Sequence, residues 1–139
     1  MARSSSEVNI GDTIGPVTVP VGRDALVAYA GASLDQNPIH QDEEFAKGVG
    51  LPDVIAHGMW TMGAASSVVA DWACDAGRVE SFRTRFTNMV VVPQEGGAEL
   101  EVSGIVSRVD DEGRVTVDVT ATAAGAKVLG RCIAVVRLD

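Results

Sequence analysis

The chain has 139 residues and a mass of 14.4 kDa, room for one ordinary core and not two, so residues 1–139 read as a single domain. With 46% hydrophobic and 22% charged residues it has globular composition, not that of a disordered tail. Eleven Lys and Arg against nineteen Asp and Glu leave a net charge of −8, which argues against nucleic acid or an anionic membrane as a partner.

Residues 1–15 are polar and read as a loosely held lead-in with no apolar signal core. Val17-Thr18-Val19 reads as a short strand. From Arg23 to about Ser33 the pattern is helical, with Leu26, Val27, Ala30 and Leu34 on one face. Asp24 in its first turn suits the helix dipole. Pro38 disfavours a helical Asn37 and ends this segment. Asp42 reads as the N-cap of a short helix from Glu43 to about Lys47, closed by Gly48 or Gly50.

Gly58 to about Ala73 is the longest helical segment. It is apolar nearly all round, so burial on most sides is expected. Val54 to Ala70 has no charge, but is too short and too polar for a lone membrane span. The reading is a cytoplasmic protein. After Gly77 the periodicity changes to that of strands. Phe82, Thr84 and Phe86 alternate with Arg83 and Arg85. Glu99 to Val109 is a second strand, with a bulge expected near Gly104. Arg114 to Thr122 alternates cleanly, Val115, Val117, Val119 and Ala121 facing inward. Lys127 to Leu138 is apolar on both faces, so it is central or covered by a second subunit. Asp110 to Gly113 and Ala124 to Ala126 read as hairpin turns. Helices first and antiparallel strands after give an α+β layered domain, a curved sheet around a long apolar helix. Cys74 and Cys132 form no CxxC pattern and read as buried free thiols.

The chemistry concentrates at the chain's two histidines, His40 and His57. Asp35 precedes His40 by five positions, with a proline-forced bend between them that can turn both side chains to one point. A carboxylate beside an imidazole can hold a water and divide proton transfer. In Ala56-His57-Gly58-Met59, Gly58 opens the apolar helix. Its N–H lies at the positive end of the dipole without an intrahelical partner, which suits an oxyanion hole for a thioester carbonyl. Ser66, two turns further on, could offer a hydroxyl to the same cavity.

Tyr29, then Asp35-x-Asn37-Pro38-Ile39-His40, then Ala46 resembles the hydratase motif of the MaoC-like, (R)-specific enoyl-CoA hydratase family. Ala56-His57-Gly58-Met59, Thr61-Met62-Gly63 and Val92-Pro93 fit the same pattern over nearly the whole chain. The resemblance is nearest to catalytic subunits of mycobacterial (3R)-hydroxyacyl-ACP dehydratases. Leu34 departs from it, a glycine being common there. The resemblance implies a hot-dog fold. It implies Asp35 and His40 as the catalytic dyad, Gly58 as the oxyanion donor, and Asn37, Ser66 and His57 as support. It implies a hydro-lyase that interconverts (3R)-hydroxyacyl and trans-2-enoyl thioesters of CoA or ACP, in fatty or mycolic acid elongation. No cofactor and no metal ligand are implied, since a thioester already acidifies its α-carbon.

Blander readings stand beside these. Asp35 and Asn37 could merely shape a turn. His57 could be a hydrogen-bonded structural residue, and Ser66 could back-bond to its helix. Arg83 and Arg85 are most simply a solvated strand face, or more sharply a contact for substrate phosphate. A non-catalytic partner subunit and a thioesterase are the alternative functions. The two-faced strand points to a homodimer, or a heterodimer with a homologous hot-dog subunit.

Overall fold

The computed structural model describes residues 3–139. A six-stranded antiparallel sheet lies against one long helix. The strands are β1 (Thr13–Val21), β2 (Val79–Phe86), β3 (Ala98–Val109), β4 (Arg114–Ala123), β5 (Ala126–Lys127) and β6 (Leu129–Arg137). The helices are α1 (Arg23–Ser33), α2 (Glu43–Gly48) and α3 (Gly58–Ala73). The sheet order is β1-β3-β4-β6-β2, with β5 paired to β4. This is the hot-dog arrangement, with α3 on the concave side of the sheet.

Strand alternation builds the core. Val115, Val117, Val119 and Ala121 of β4 point inward, as do Leu100, Val102 and Val106 of β3 and Cys132, Ala134 and Val136 of β6. They meet Ala65, Val68, Val69 and Ala73 of α3. Each buried valine removes apolar surface worth roughly 1.5–3 kcal/mol from water. β6 is apolar on both faces because it lies inside the sheet, between β4 and β2. β1 and β2 are the edges.

Several expectations need correction. Among the described residues the lead-in is ordered: Ser5–Glu7 form a 3₁₀ turn, and β1 runs from Thr13 rather than Val17. Its pairing with β3 supplies backbone partners that the Gly- and Pro-containing sequence does not advertise. Val27 and Leu34 are exposed although they share a periodic face with buried Leu26 and Ala30, because α1 is only half covered. The register shift expected near Gly104 is present against β1, where Ile14 opposes Gly104 but Val17 opposes Val102 and the extra residue lies in β1; β3 itself has a second shift, against β4, between Val106 and Arg108. Gly104 is a glycine because a Cβ there would lie 2.8 Å from Val117 Cγ1. Cys132 is buried as expected, but Cys74 is exposed, because it caps α3 in a left-handed turn and leaves the core. α3 is not wrapped on most sides. One sheet offers one concave face, so Met59, Gly63, Ser67 and Asp71 stay exposed. Among the described residues, no helix is long and apolar enough to cross a membrane.

Candidate active site

The Asp35–His40 turn is built by local bonds. Leu34 ends α1 with φ 66° and ψ 10°, a left-handed conformation that turns the chain back. Asn37 Oδ1 accepts the Ile39 N–H at 3.2 Å and so caps the 3₁₀ turn Pro38–His40. The Asn37 N–H donates to Asp35 Oδ1 at 3.2 Å. These are the short-range bonds that Asp and Asn make in turns. Here they also aim a carboxylate.

Segment 54–56 ties this turn to the rest of the site. The Ile55 N–H donates to the Ile39 carbonyl at 3.2 Å, and the Ala56 N–H to the Val90 carbonyl at 2.9 Å. His40 Nδ1 lies 2.7 Å from the Ile55 carbonyl. A carbonyl only accepts, so Nδ1 carries the hydrogen. In the neutral ring Nε2 then holds a lone pair, and it faces Asp35 Oδ2 at 4.0 Å. That gap is too long for a direct hydrogen bond. One oxygen atom placed between the two can bond to both. The His40 side chain is 10% exposed and that of Asp35 52%, so the pair joins a buried base to an accessible carboxylate.

His57 lies under both. Its Nε2–H donates to the Asp35 backbone carbonyl at 3.0 Å. Its ring stacks on His40 with centroids 3.8 Å apart and meets Tyr29 edge-on at 4.8 Å. Nδ1 is buried without a partner. His57 therefore ties the turn carrying Asp35 to the start of α3.

The first bond of α3 runs from the Thr61 N–H to the His57 carbonyl. The N–H groups of Gly58, Met59 and Trp60 precede it, and His57 makes no side-chain cap. His40, Gly58, Thr61, Phe86 and Val128 line a cavity of about 340 Å³. A Cβ on Gly58 would lie 3.1–3.2 Å from three carbons of the Phe86 ring. Glycine thus lets the ring close over the helix start.

The structure brings Asp35, Asn37, His40, His57 and Gly58 together. It leaves out Ser66, whose hydroxyl donates to the Gly63 carbonyl at 3.0 Å within α3. The two-turn spacing put Ser66 on the helix, but its back-bond holds it there, away from the lining. Arg83 and Arg85 are exposed beside a different cavity, next to this one. Asp35, His40 and His57 each offer a ligand atom within 4.8 Å of the others. Each imidazole already has one nitrogen on a backbone carbonyl. Sequence reasoning missed the Ile55 carbonyl, which orients His40, and the lining role of Phe86, Thr61 and Val128. A backbone carbonyl leaves no residue-type signal. Phe86 could have been found only as the strand end nearest the helix start.

Residues 5–125 match the family model described as a MaoC like domain. Among curated proteins, the fatty acid synthase beta subunit TOXC of Cochliobolus carbonum is 36% identical over 118 residues, 78% of this chain and 5% of that protein. The probable enoyl-CoA hydratase 2 of Dictyostelium discoideum is 42% identical over 69 residues, 48% of this chain and 24% of that protein. The chain thus spans a quarter or less of the length of these relatives. A solved MaoC-like dehydratase superposes with a TM-score of 0.96 at 39% identity, over 99% of this chain and 43% of that one. The ChsH1-ChsH2 complex from Mycobacterium tuberculosis shares the fold, with a TM-score of 0.79 at 20% identity over 94% of this chain and 98% of that one.

Proposed function

Because the chain belongs to the MaoC-like domain family, we propose that it is a hydro-lyase that interconverts (3R)-hydroxyacyl and trans-2-enoyl thioesters of CoA or ACP. The observation that carries this is the 4.0 Å gap between His40 Nε2 and Asp35 Oδ2, beside a cavity that opens on the start of α3. His40 Nε2 takes the C2 proton of the hydroxyacyl thioester, the lone pair being on that atom because Nδ1–H is spent on Ile55. Asp35 delivers a proton to the departing C3 hydroxyl, which leaves as water. In hydration the same oxygen returns between the two groups. The thioester oxygen gathers negative charge in both directions. The free N–H of Gly58 at the positive end of α3 receives it. Asn37 holds the turn, and His57 holds the Asp35 carbonyl.

The fatty acid synthase relative favours a place in fatty-acid elongation. Mycolic acid elongation in the cytoplasm is the narrower reading. A second hot-dog subunit, identical or homologous, fits the unpaired edges of β1 and β2 and the open side of α3.

The test follows loss of enoyl absorbance as a 2-enoyl-CoA is hydrated. The (R)-3-hydroxy product is expected, in the presence or absence of a chelator. Asp35→Asn and His40→Ala should each lower kcat by about 10²–10⁴ while leaving the fold intact. Release of free thiol instead of hydration would assign a thioesterase. Wild-type activity in both variants would refute the dyad.

A further inference from the structure

The chain is acidic, yet four of its cations line one cavity. Arg83, Arg85, Lys127 and Arg131 surround a groove of about 630 Å³ on the outer face of the sheet. Elsewhere the cations are largely paired. Arg23, Lys47, Arg78, Arg114 and Arg137 each have a carboxylate within 4.0 Å. Arg3 donates to the Trp72 carbonyl and lies over its ring. Among the described residues, no side-chain hydrogen bond or ion pair is recorded for the four groove cations, nor for Arg108. Asp118 is the one carboxylate in the lining. It is separated from Arg83 by the intervening strand β6, through Ile133. Two strand spacings are about 9–10 Å.

The groove is also shaped. Between Arg83 and Arg85 the pairing of β2 with β6 skips a residue, since Arg83 opposes Ile133 but Arg85 opposes Gly130. The residue taken up is Arg131, at φ 46°. A bulge of this kind usually takes a glycine at its left-handed position. An arginine held there is strained, and such strain gathers where side chains must be aimed. Thr84 Oγ1 donates to the Gly130 carbonyl at 3.1 Å and fixes the bulge.

The groove adjoins the candidate active site. Phe86 and Val128 line the reaction cavity, while their neighbours Arg85, Lys127 and Leu129 line the groove. This shared wall is bonded across. The Thr87 N–H donates to the Val128 carbonyl at 3.1 Å, and Thr87 Oγ1 and Asn88 Nδ2 donate to the Lys127 carbonyl at 2.9 and 2.7 Å.

We propose that this bulged groove binds the phosphoryl end of the thioester carrier while the acyl end occupies the cavity lined by His40 and Gly58. The proposal rests on the thioester reading above. It makes Arg83, Arg85 and Arg131, with Lys127, one anion site, with planar guanidinium donors matched to phosphate oxygens. It also accounts for how a chain of net charge −8 holds a polyanionic substrate.

The experiment measures binding to the full chain by calorimetry, with CoA, phosphate-free pantetheine and a phosphopantetheine-bearing carrier protein as probes. Arg83→Gln and Arg131→Gln should each weaken CoA or carrier-protein binding by about tenfold and reduce its sensitivity to salt. Pantetheine binding should not change. Arg108→Gln removes an exposed, unpaired cation outside the groove and should change nothing. Whichever phosphate-bearing probe is weakened identifies the source of the phosphate. Unchanged binding of both, or an equal loss in Arg108→Gln, overturns the proposal. So does a change in the chain's oligomeric state with ligand affinity intact, which would make the groove a subunit contact. Asp35→Asn should bind like the wild type, so a failure of the catalytic reading and a failure of the groove give different results.

Discussion

Replacing His57 with phenylalanine separates stability from activity. The ring is buried and stacked on His40, and phenylalanine preserves its shape and its edge contact with Tyr29. The substitution deletes one hydrogen bond, Nε2–H to the Asp35 carbonyl at 3.0 Å, worth about 1 kcal/mol. It also removes Nδ1, a buried nitrogen without a partner, whose burial costs about 1–3 kcal/mol. Asp35 is exposed, so water can satisfy its carbonyl. The net effect on stability is between no change and a gain of about 2 kcal/mol. Activity should move the other way. The Asp35 turn loses its tie to α3, and a displacement of about 1 Å at a reacting group costs roughly 10²-fold. Denaturant unfolding should therefore give an unchanged or higher midpoint. Enoyl-CoA hydration should show kcat down about 100-fold with KM little altered. His57→Gln, which can still donate to the carbonyl, should recover part of kcat. A stable His57→Phe with wild-type kcat would refute the argument that this bond positions Asp35.

Three further outcomes are expected. Leu34 is 81% exposed and left-handed at φ 66°, so Leu34→Gly relieves strain of about 1 kcal/mol and should raise the unfolding midpoint. Gly58→Ala keeps the backbone N–H but sets a methyl group against the Phe86 ring at 3.1–3.2 Å. Hydration should fall, and adding Phe86→Ala should restore part of it; no rescue would mean the methyl blocks something other than the ring. Burial pushes the Cys132 thiol up from its ordinary range, so less thiolate is present at neutral pH. Alkylation of the native chain should therefore mark exposed Cys74 first, and Cys132 should react as pH rises or on unfolding; equal rates would show that the β6 core opens.

Much of the site was legible in order but not in contact. Asp35, Asn37, Pro38 and His40 are a local turn, and local turns are written in residue types. The spacing that put α3 at Gly58–Ala73 follows from periodicity in the same way. Ser66 failed because a hydroxyl on a helix can bond its own backbone, and sequence does not show which way it points. Val27 and Leu34 failed because periodicity marks a face but not what covers it. β1 was under-read because its partner, β3, lies about eighty residues away.

The sequence alone determined the layer order, the inward rows of β4 and the Asp35–His40 turn, because these depend on near neighbours and side-chain type. The tertiary structure decided the tautomer of His40, through the Ile55 carbonyl, and the place of His57 beneath Asp35. It also decided the gathering of four cations from β2, β5 and β6 around one bulge. Those are long-range pairings set by strand register. Register depends on how the whole sheet closes over α3, and no local stretch of sequence contains that information.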